Sequence, residues 1–244
     1  MAKDMGSVGA RLMALVQITA AIAALFVTSG LIGGLITPNL PENLRTPILG
    51  LALWGGVLAG ALMLMAAKTS YGLIGFSLPP NWSKCLLWVA IAVIACLVGA
   101  IAIGECIHRL TDWPPLDVSY IRTSIKGDVI AYAIWIVLVV WGSAAFGEEL
   151  LARGFILNRM EAVFGRSPVG IALAVLGQAA IFGALHAIQG TTGVVITAYI
   201  GIVLAGTYYL SGRNLWAPIL AHGLMDTVSL TTMYLGAPLP GYLS

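Results

Sequence analysis

Seven long apolar runs decide what this chain can fold into. They cover residues 12–36, 46–67, 85–104, 129–147, 168–185, 191–210 and 214–235, and apart from Asp226 in the last run none contains an acid, lysine or arginine. Each approaches or exceeds the roughly 20 residues that a helix needs to cross the hydrocarbon of a bilayer. Inside lipid every backbone polar group must be satisfied internally, which leaves α-helices or closed barrels. Continuous apolar runs, rather than alternation with a period of two, select helices. The expected fold is all-α, a polytopic membrane helix bundle of about seven transmembrane helices. Composition agrees: 59% of the 244 residues are hydrophobic and 9% charged, against about 25% charged in soluble domains.

The first run lacks a small-residue cleavage site at the end of a shorter apolar core and reads as a retained anchor. Cys85, Cys96 and Cys106 show neither CxxC pairing nor metal-ligand spacing, so they receive no role. A net charge of +2, scattered along the chain, provides no basic patch for nucleic acid. With the N-terminus in the cytoplasm, Lys3, Arg11, Lys68, Lys84, Arg153, Arg159, Arg166 and Arg213 lie inside, and Arg45, Arg109, Arg122 and Lys126 outside. That bias favours a plasma membrane protein with a cytoplasmic N-terminus. Longer polar connections occupy residues 68–84 and 105–128. The expected organisation is residues 1–127 with three spans and residues 128–244 with four, in one bundle.

Most acids fall in loops or at span ends: Asp4, Glu42, Glu105, Asp112, Asp117, Asp128 and Glu161. Glu148 and Glu149 instead follow directly on an apolar run, and Asp226 lies within one. His186 and His222 are likewise inside or at the end of apolar helices. An acid at mid-helix costs about 2.5–3.5 kcal/mol in insertion experiments, so three left unpaired would cost on the order of 10 kcal/mol. Such residues face a bundle interior and mark a functional site or a structural ion pair.

Spacing brings them together. Gly165 and Pro168 flank a turn, and in a hairpin centred near residue 166 His186 lies level with residues 146–148. A second hairpin turns near Ser211-Gly212-Arg213, placing His222 two to three helical turns into the last span. His222 and Asp226 are spaced i, i+4 and share one face. Glu149 and Arg153 share the same spacing, acid first, which reads as an internal ion pair bracing the helix. Glu148 is then free for chemistry, with Ala144, Ala145 and Ala152 around it to admit a neighbouring helix. Phe155 and Phe182 read as packing residues, and His108 as a solvated histidine.

Read together, Glu148-Glu149-Leu-Leu-Ala-Arg153, Phe182-Gly-Ala-Leu-His186 and His222-Gly-Leu-Met-Asp226 resemble the EExxxR, FxxxH and HxxxN/D motifs of the CAAX protease and bacteriocin-processing family, which includes type II CAAX prenyl endopeptidases. The stretch Ser211 to Ile219 is similar to that family too, and the likeness spans about residues 128–236. The resemblance implies an intramembrane glutamate-dependent or metallo-endopeptidase, acting on peptides or proteins that are lipidated or membrane-associated. It implies that Glu148 with His186 activates water and that His222 with Asp226 stabilises an oxyanion.

Asp226 departs from the Asn often found there, and an ionised carboxylate cannot donate to an oxyanion. Three roles stay open for it: a protonated donor, an orienter of the His222 ring, or a metal ligand. Zinc on Glu148, His186, His222 and Asp226 is one alternative, since two histidines and a carboxylate serve some metallopeptidases, although the chain has no HExxH. A non-catalytic membrane partner or bacteriocin-immunity protein, with a purely structural polar cluster, is the competing function. A proton relay or transporter is a third; no inverted repeat supports it.

Overall fold

The structure, a computed structural model, describes residues 7–68, 74–238 and 240–243. Lys3 and Asp4, both read above from the sequence, lie outside those residues.

The apolar runs become helices. α1 is Val8–Leu31, capped by Ser7 and extended by a π-helical turn at Ile32–Ile36 and a 3₁₀ turn at Thr37–Asn39. The run at 46–67 divides into α2, Glu42–Gly50, and α3, Leu53–Ala66. α4, Trp82–Leu110, opens on Asn81, whose side chain accepts the Lys84 N–H at 2.9 Å. It therefore carries Glu105 and His108, which the sequence placed in a connection. A short α5, Ser119–Ile125, leads to a long rod built from α6, Val129–Ile134, two π-helical stretches at Trp135–Glu148 and Leu150–Ile156, and α7, Leu157–Phe164. α8, Pro168–Leu185, α9, Gly190–Leu210, and α10, Trp216–Tyr234, complete the bundle.

Six helical segments among the described residues are long and apolar enough to cross a membrane: Val8–Asn39, Glu42–Ala66, Trp82–Leu110, Val129–Phe164, Pro168–Leu185 and Ala187–Leu210. α10 corresponds to the seventh apolar run. It carries His222, Asp226, Thr227, Ser229, Thr231 and Thr232, and it packs against α4, α9 and the rod. The chain is a polytopic helical bundle, as expected; the span count of about seven depends on this last helix.

Both hairpins form where turn chemistry placed them. Gly165 ends α7 with φ +87, a left-handed conformation that glycine adopts without strain. Ser167 caps α8 and Pro168 occupies its first position. At the second turn Gly212 and Arg213 both have positive φ. These hairpins put the end of α7 and the start of α10 at one end of the bundle. The end of α8 and the start of α9 lie at the other, beside the connection after α4. There Thr192 Oγ1 donates to Pro114 O at 2.7 Å, and the Leu116 N–H donates to Tyr242 O at 2.8 Å.

The rod corrects one expectation. The apolar run before Glu148 and Glu149 stops at residue 147, but the helix continues to Phe164, so the pair lies in its middle. The backbone around them is widened from i→i−4 to i→i−5 bonding, as in the Leu157 N–H donating to Ala152 O. Departures of this kind from α-geometry are uncommon and concentrate at functional sites.

Candidate active site

Four elements build the site. The π-helical rod supplies Glu148, Glu149 and Arg153; the C-terminal end of α8 supplies His186; and α10 supplies His222 and Asp226. α9 contributes backbone. Close approach is possible because the contact positions are small. A Cβ on Gly201 of α9 would stand 3.2 Å from the Ala179 Cα of α8, and one on Gly223 of α10 would stand 2.7 Å from the Trp141 ring of the rod.

The centre of the network is Glu149, fully buried together with Arg153. Arg153 Nη1 donates to Glu149 Oε1 at 2.7 Å, and Nη2 donates to Gly201 O of α9 at 3.0 Å. The guanidinium also lies 4.7 Å from the centroid of Phe182, a favourable cation–π position. The expected brace is therefore present, and it reaches further than the sequence indicated. Glu149 Oε1 also accepts the His222 Nδ1–H at 2.8 Å, a contact between helices that i, i+4 spacing could not reveal. A carboxylate acceptor there assigns the proton to Nδ1 and leaves Nε2 facing Asp226 Oδ2 at 3.5 Å.

His186 is fixed in a similar way. Its Nδ1–H donates to Phe182 O at 2.8 Å, one helical turn back, which turns Nε2 towards Glu148 Oε1 at 3.9 Å. That gap is too long for a direct hydrogen bond, and at such a separation the two groups can share a water. The ring of Phe182 stands between both histidines, with centroids 4.9 Å from His186 and 6.3 Å from His222.

Glu148, His186 and Asp226 are the accessible members, their side chains 21%, 23% and 31% exposed. They line a cavity of about 530 Å³ together with His222, bounded by α4, the rod, α9 and α10 and reaching Leu116 and Tyr242 at the far end of the bundle. A cavity of this size suits a short peptide segment. No three of the His, Cys, Asp and Glu side chains among the described residues stand close enough to share a metal ion. The zinc alternative therefore lacks an assembled ligand set in this arrangement.

Residues 130–228 match the family model described as type II CAAX prenyl endopeptidase Rce1-like. That stretch is similar to the Rce1-like family. All six polar residues of the cluster fall inside it, and the match lies within the range of the resemblance read from the motifs. No curated protein and no solved structure matches the chain. Together with the six long apolar helices, this match supports an integral membrane protein and an intramembrane endopeptidase of the CAAX type acting on a protein or peptide.

Sequence reasoning missed two features of the site. One is the Glu149–His222 bond. The other is Gln178, the only polar side chain between Ser167 and His186, and that isolation was the signal that could have found it.

Proposed function

We propose that the chain hydrolyses peptide bonds with Glu148 as general base. The observation that carries this reading is the geometry of Glu148 and His186: a carboxylate and an imidazole Nε2, 3.9 Å apart, on the wall of a cavity that also exposes Asp226. A water between them has two acceptors. Glu148 takes its proton while the water oxygen attacks the peptide carbonyl carbon, and His186 Nε2 accepts its second hydrogen and orients it.

The attack turns the carbonyl oxygen into an oxyanion, which needs donors nearby. His222 in its doubly protonated form supplies one from Nε2, while Nδ1–H stays with Glu149. Collapse of the intermediate breaks the C–N bond, and the proton held by Glu148 passes to the leaving amine. Glu149 and Arg153 act through His222 as positioning residues. Asp226 draws on the same Nε2 and orients the ring, so its carboxylate has no direct part in binding the oxyanion.

Basic residues favour a cytoplasmic N-terminus in a plasma membrane. In that orientation the end of α8, and the cavity beside it, face the outer side. The substrate is then a membrane-associated peptide or protein reached from that side, lipidated or not. The three N-terminal spans wall the catalytic core of residues 128–244.

The test compares peptides retained by the solubilised Glu148→Gln variant with those cleaved by the parent. Cleavage by the parent of what the variant only binds is expected. Equal cleavage by both removes Glu148 as the base, and loss of cleavage on chelation with recovery on zinc addition replaces this route with a metal-based one.

A further inference from the structure

Gln178 lies in the middle of α8 and is fully buried, yet neither its amide nitrogen nor its carbonyl oxygen has a hydrogen-bond partner among the described residues. Buried polar groups in folded proteins are nearly always paired with protein or with ordered water, so an amide with both ends free calls for an explanation. The side chain follows the helical repeat to Phe182 and His186, two turns along one face of α8.

That face lines a second, smaller cavity of about 150 Å³. Glu148 and His186 line both cavities and so stand between them. Glu148 Oε2 is itself buried and without a hydrogen-bond partner among the described residues. The remaining wall is apolar, with Leu25 of α1, Leu53 of α3 and Ile156 of the rod.

A wholly apolar cavity stays dry, whereas a held water needs about two to four polar partners and enough room. Both ends of the Gln178 amide, Glu148 Oε2 and the His186 ring provide the partners. The volume of about 150 Å³ is several times the roughly 30 Å³ that one water occupies in the liquid.

We propose that Gln178 is a positioning residue which holds water in the smaller cavity and hands it to the Glu148–His186 pair. The amide N–H donates to a water oxygen, its carbonyl accepts a water hydrogen, and the chain of water ends on Glu148 Oε2. Gln178 forms no covalent bond and transfers no proton of its own. Water thus reaches the reacting carbon from the side opposite the substrate cavity, which a bound peptide would otherwise block. This inference rests on the peptidase reading above.

The test uses the full chain in detergent, with a peptide that the parent cleaves and Glu148→Gln does not. Gln178→Met keeps the length of the side chain and removes donor and acceptor; kcat should fall at least tenfold with KM changed less than twofold. Gln178→Asn keeps an amide and should recover at least half of that loss on a logarithmic scale. An unchanged kcat in Gln178→Met, with equal or higher thermal stability, overturns the proposal and leaves a dry cavity with an unpaired amide. Failure of the parent itself to cleave any peptide overturns the peptidase reading and takes this inference with it.

One measurement needs no variant. Brief radiolysis in ¹⁸O-labelled water marks side chains beside held water. Label is expected on Leu151 and Ile156, which line the smaller cavity, and not on the equally buried Leu157, which does not. Leu151 and Ile156 left as unlabelled as Leu157 would also overturn it.

Discussion

Glu148 and Glu161 lie on the same helical rod, and their surroundings are opposite. Glu161 is fully buried and saturated: Arg166 Nε donates to it at 2.9 Å, Tyr209 Oη at 2.6 Å, and Arg213 from its guanidinium. Glu148 has one oxygen with no hydrogen-bond partner among the described residues and the other 3.9 Å from a histidine. At Glu161 these bonds offset the desolvation of a buried carboxylate. A carboxylate that is to accept a proton must keep a lone pair available. Glu161 ties the α7–α8 turn to the α9–α10 turn at one end of the bundle, while Glu148 opens on a cavity nearer the other end.

The Glu161 cluster is also steady against pH on its Arg213 side. Burial alone would lower the affinity of the Arg213 guanidinium for its proton, but its hydrogen bond to Glu161 and the charge there more than offset this and hold it above the ordinary arginine value. A raised value on a base stabilises the fold below the unfolded value and is lost only when pH climbs through the folded one. For an arginine that lies far above neutrality, so the Arg213 side of the clasp is constant wherever the enzyme can be assayed.

The sharpest way to break the comparison is to convert each acid to its amide. Glu148→Gln should lower kcat by about 10²–10⁴, the range attributed to a general base, with the thermal unfolding midpoint of the solubilised protein unchanged. Glu161→Gln should do the reverse. It leaves two partly exposed arginines facing a neutral amide and weakens hydrogen bonds to a charged acceptor worth about 1.5–3 kcal/mol each. The unfolding midpoint should drop sharply, with kcat per folded molecule close to that of the parent. A collapse of kcat in a folded Glu161→Gln protein would mean that the two clusters are coupled.

Tyr209→Phe refines the same point with a smaller change. It removes one hydrogen bond to a charged acceptor, worth about 1.5–3 kcal/mol, and leaves both arginines in place. Denaturant unfolding should show that loss and peptide cleavage should show none.

The asymmetry between the clusters also explains what could be read in the sequence. Glu148, His186, His222 and Asp226 were legible because ionisable residues inside apolar runs are expensive and stand out. The hairpin register then set His186 against Glu148, and i, i+4 spacing set Glu149 with Arg153 and His222 with Asp226. Glu161 was misread as an ordinary span-end acid, because its partners Tyr209 and Arg213 are 48 and 52 residues away and no local spacing predicts them. Arg153 was counted as a cytoplasmic charge, yet it is fully buried and belongs to the site. The length of the rod was hidden for a related reason. A pair of glutamates reads as the end of an apolar run, whereas here neighbouring helices supply the partners that let the helix continue.

The smallest effect is expected at Asp226, and it tests how the two sides of His222 divide their work. Glu149 holds Nδ1 at 2.8 Å, within hydrogen-bond range, while Asp226 stands 3.5 Å from Nε2, beyond a good one. If Glu149 fixes the ring and Asp226 only biases it, Asp226→Asn keeps an oxygen near Nε2 and adds an amide that can donate towards the oxyanion. The variant should retain cleavage within about tenfold of the parent, a change of about 1.4 kcal/mol or less in the barrier, at an unaltered unfolding midpoint. A loss as large as that of Glu148→Gln would show that the carboxylate charge itself is needed. Asp226 would then join Glu148 as a carboxylate kept under-satisfied for chemistry.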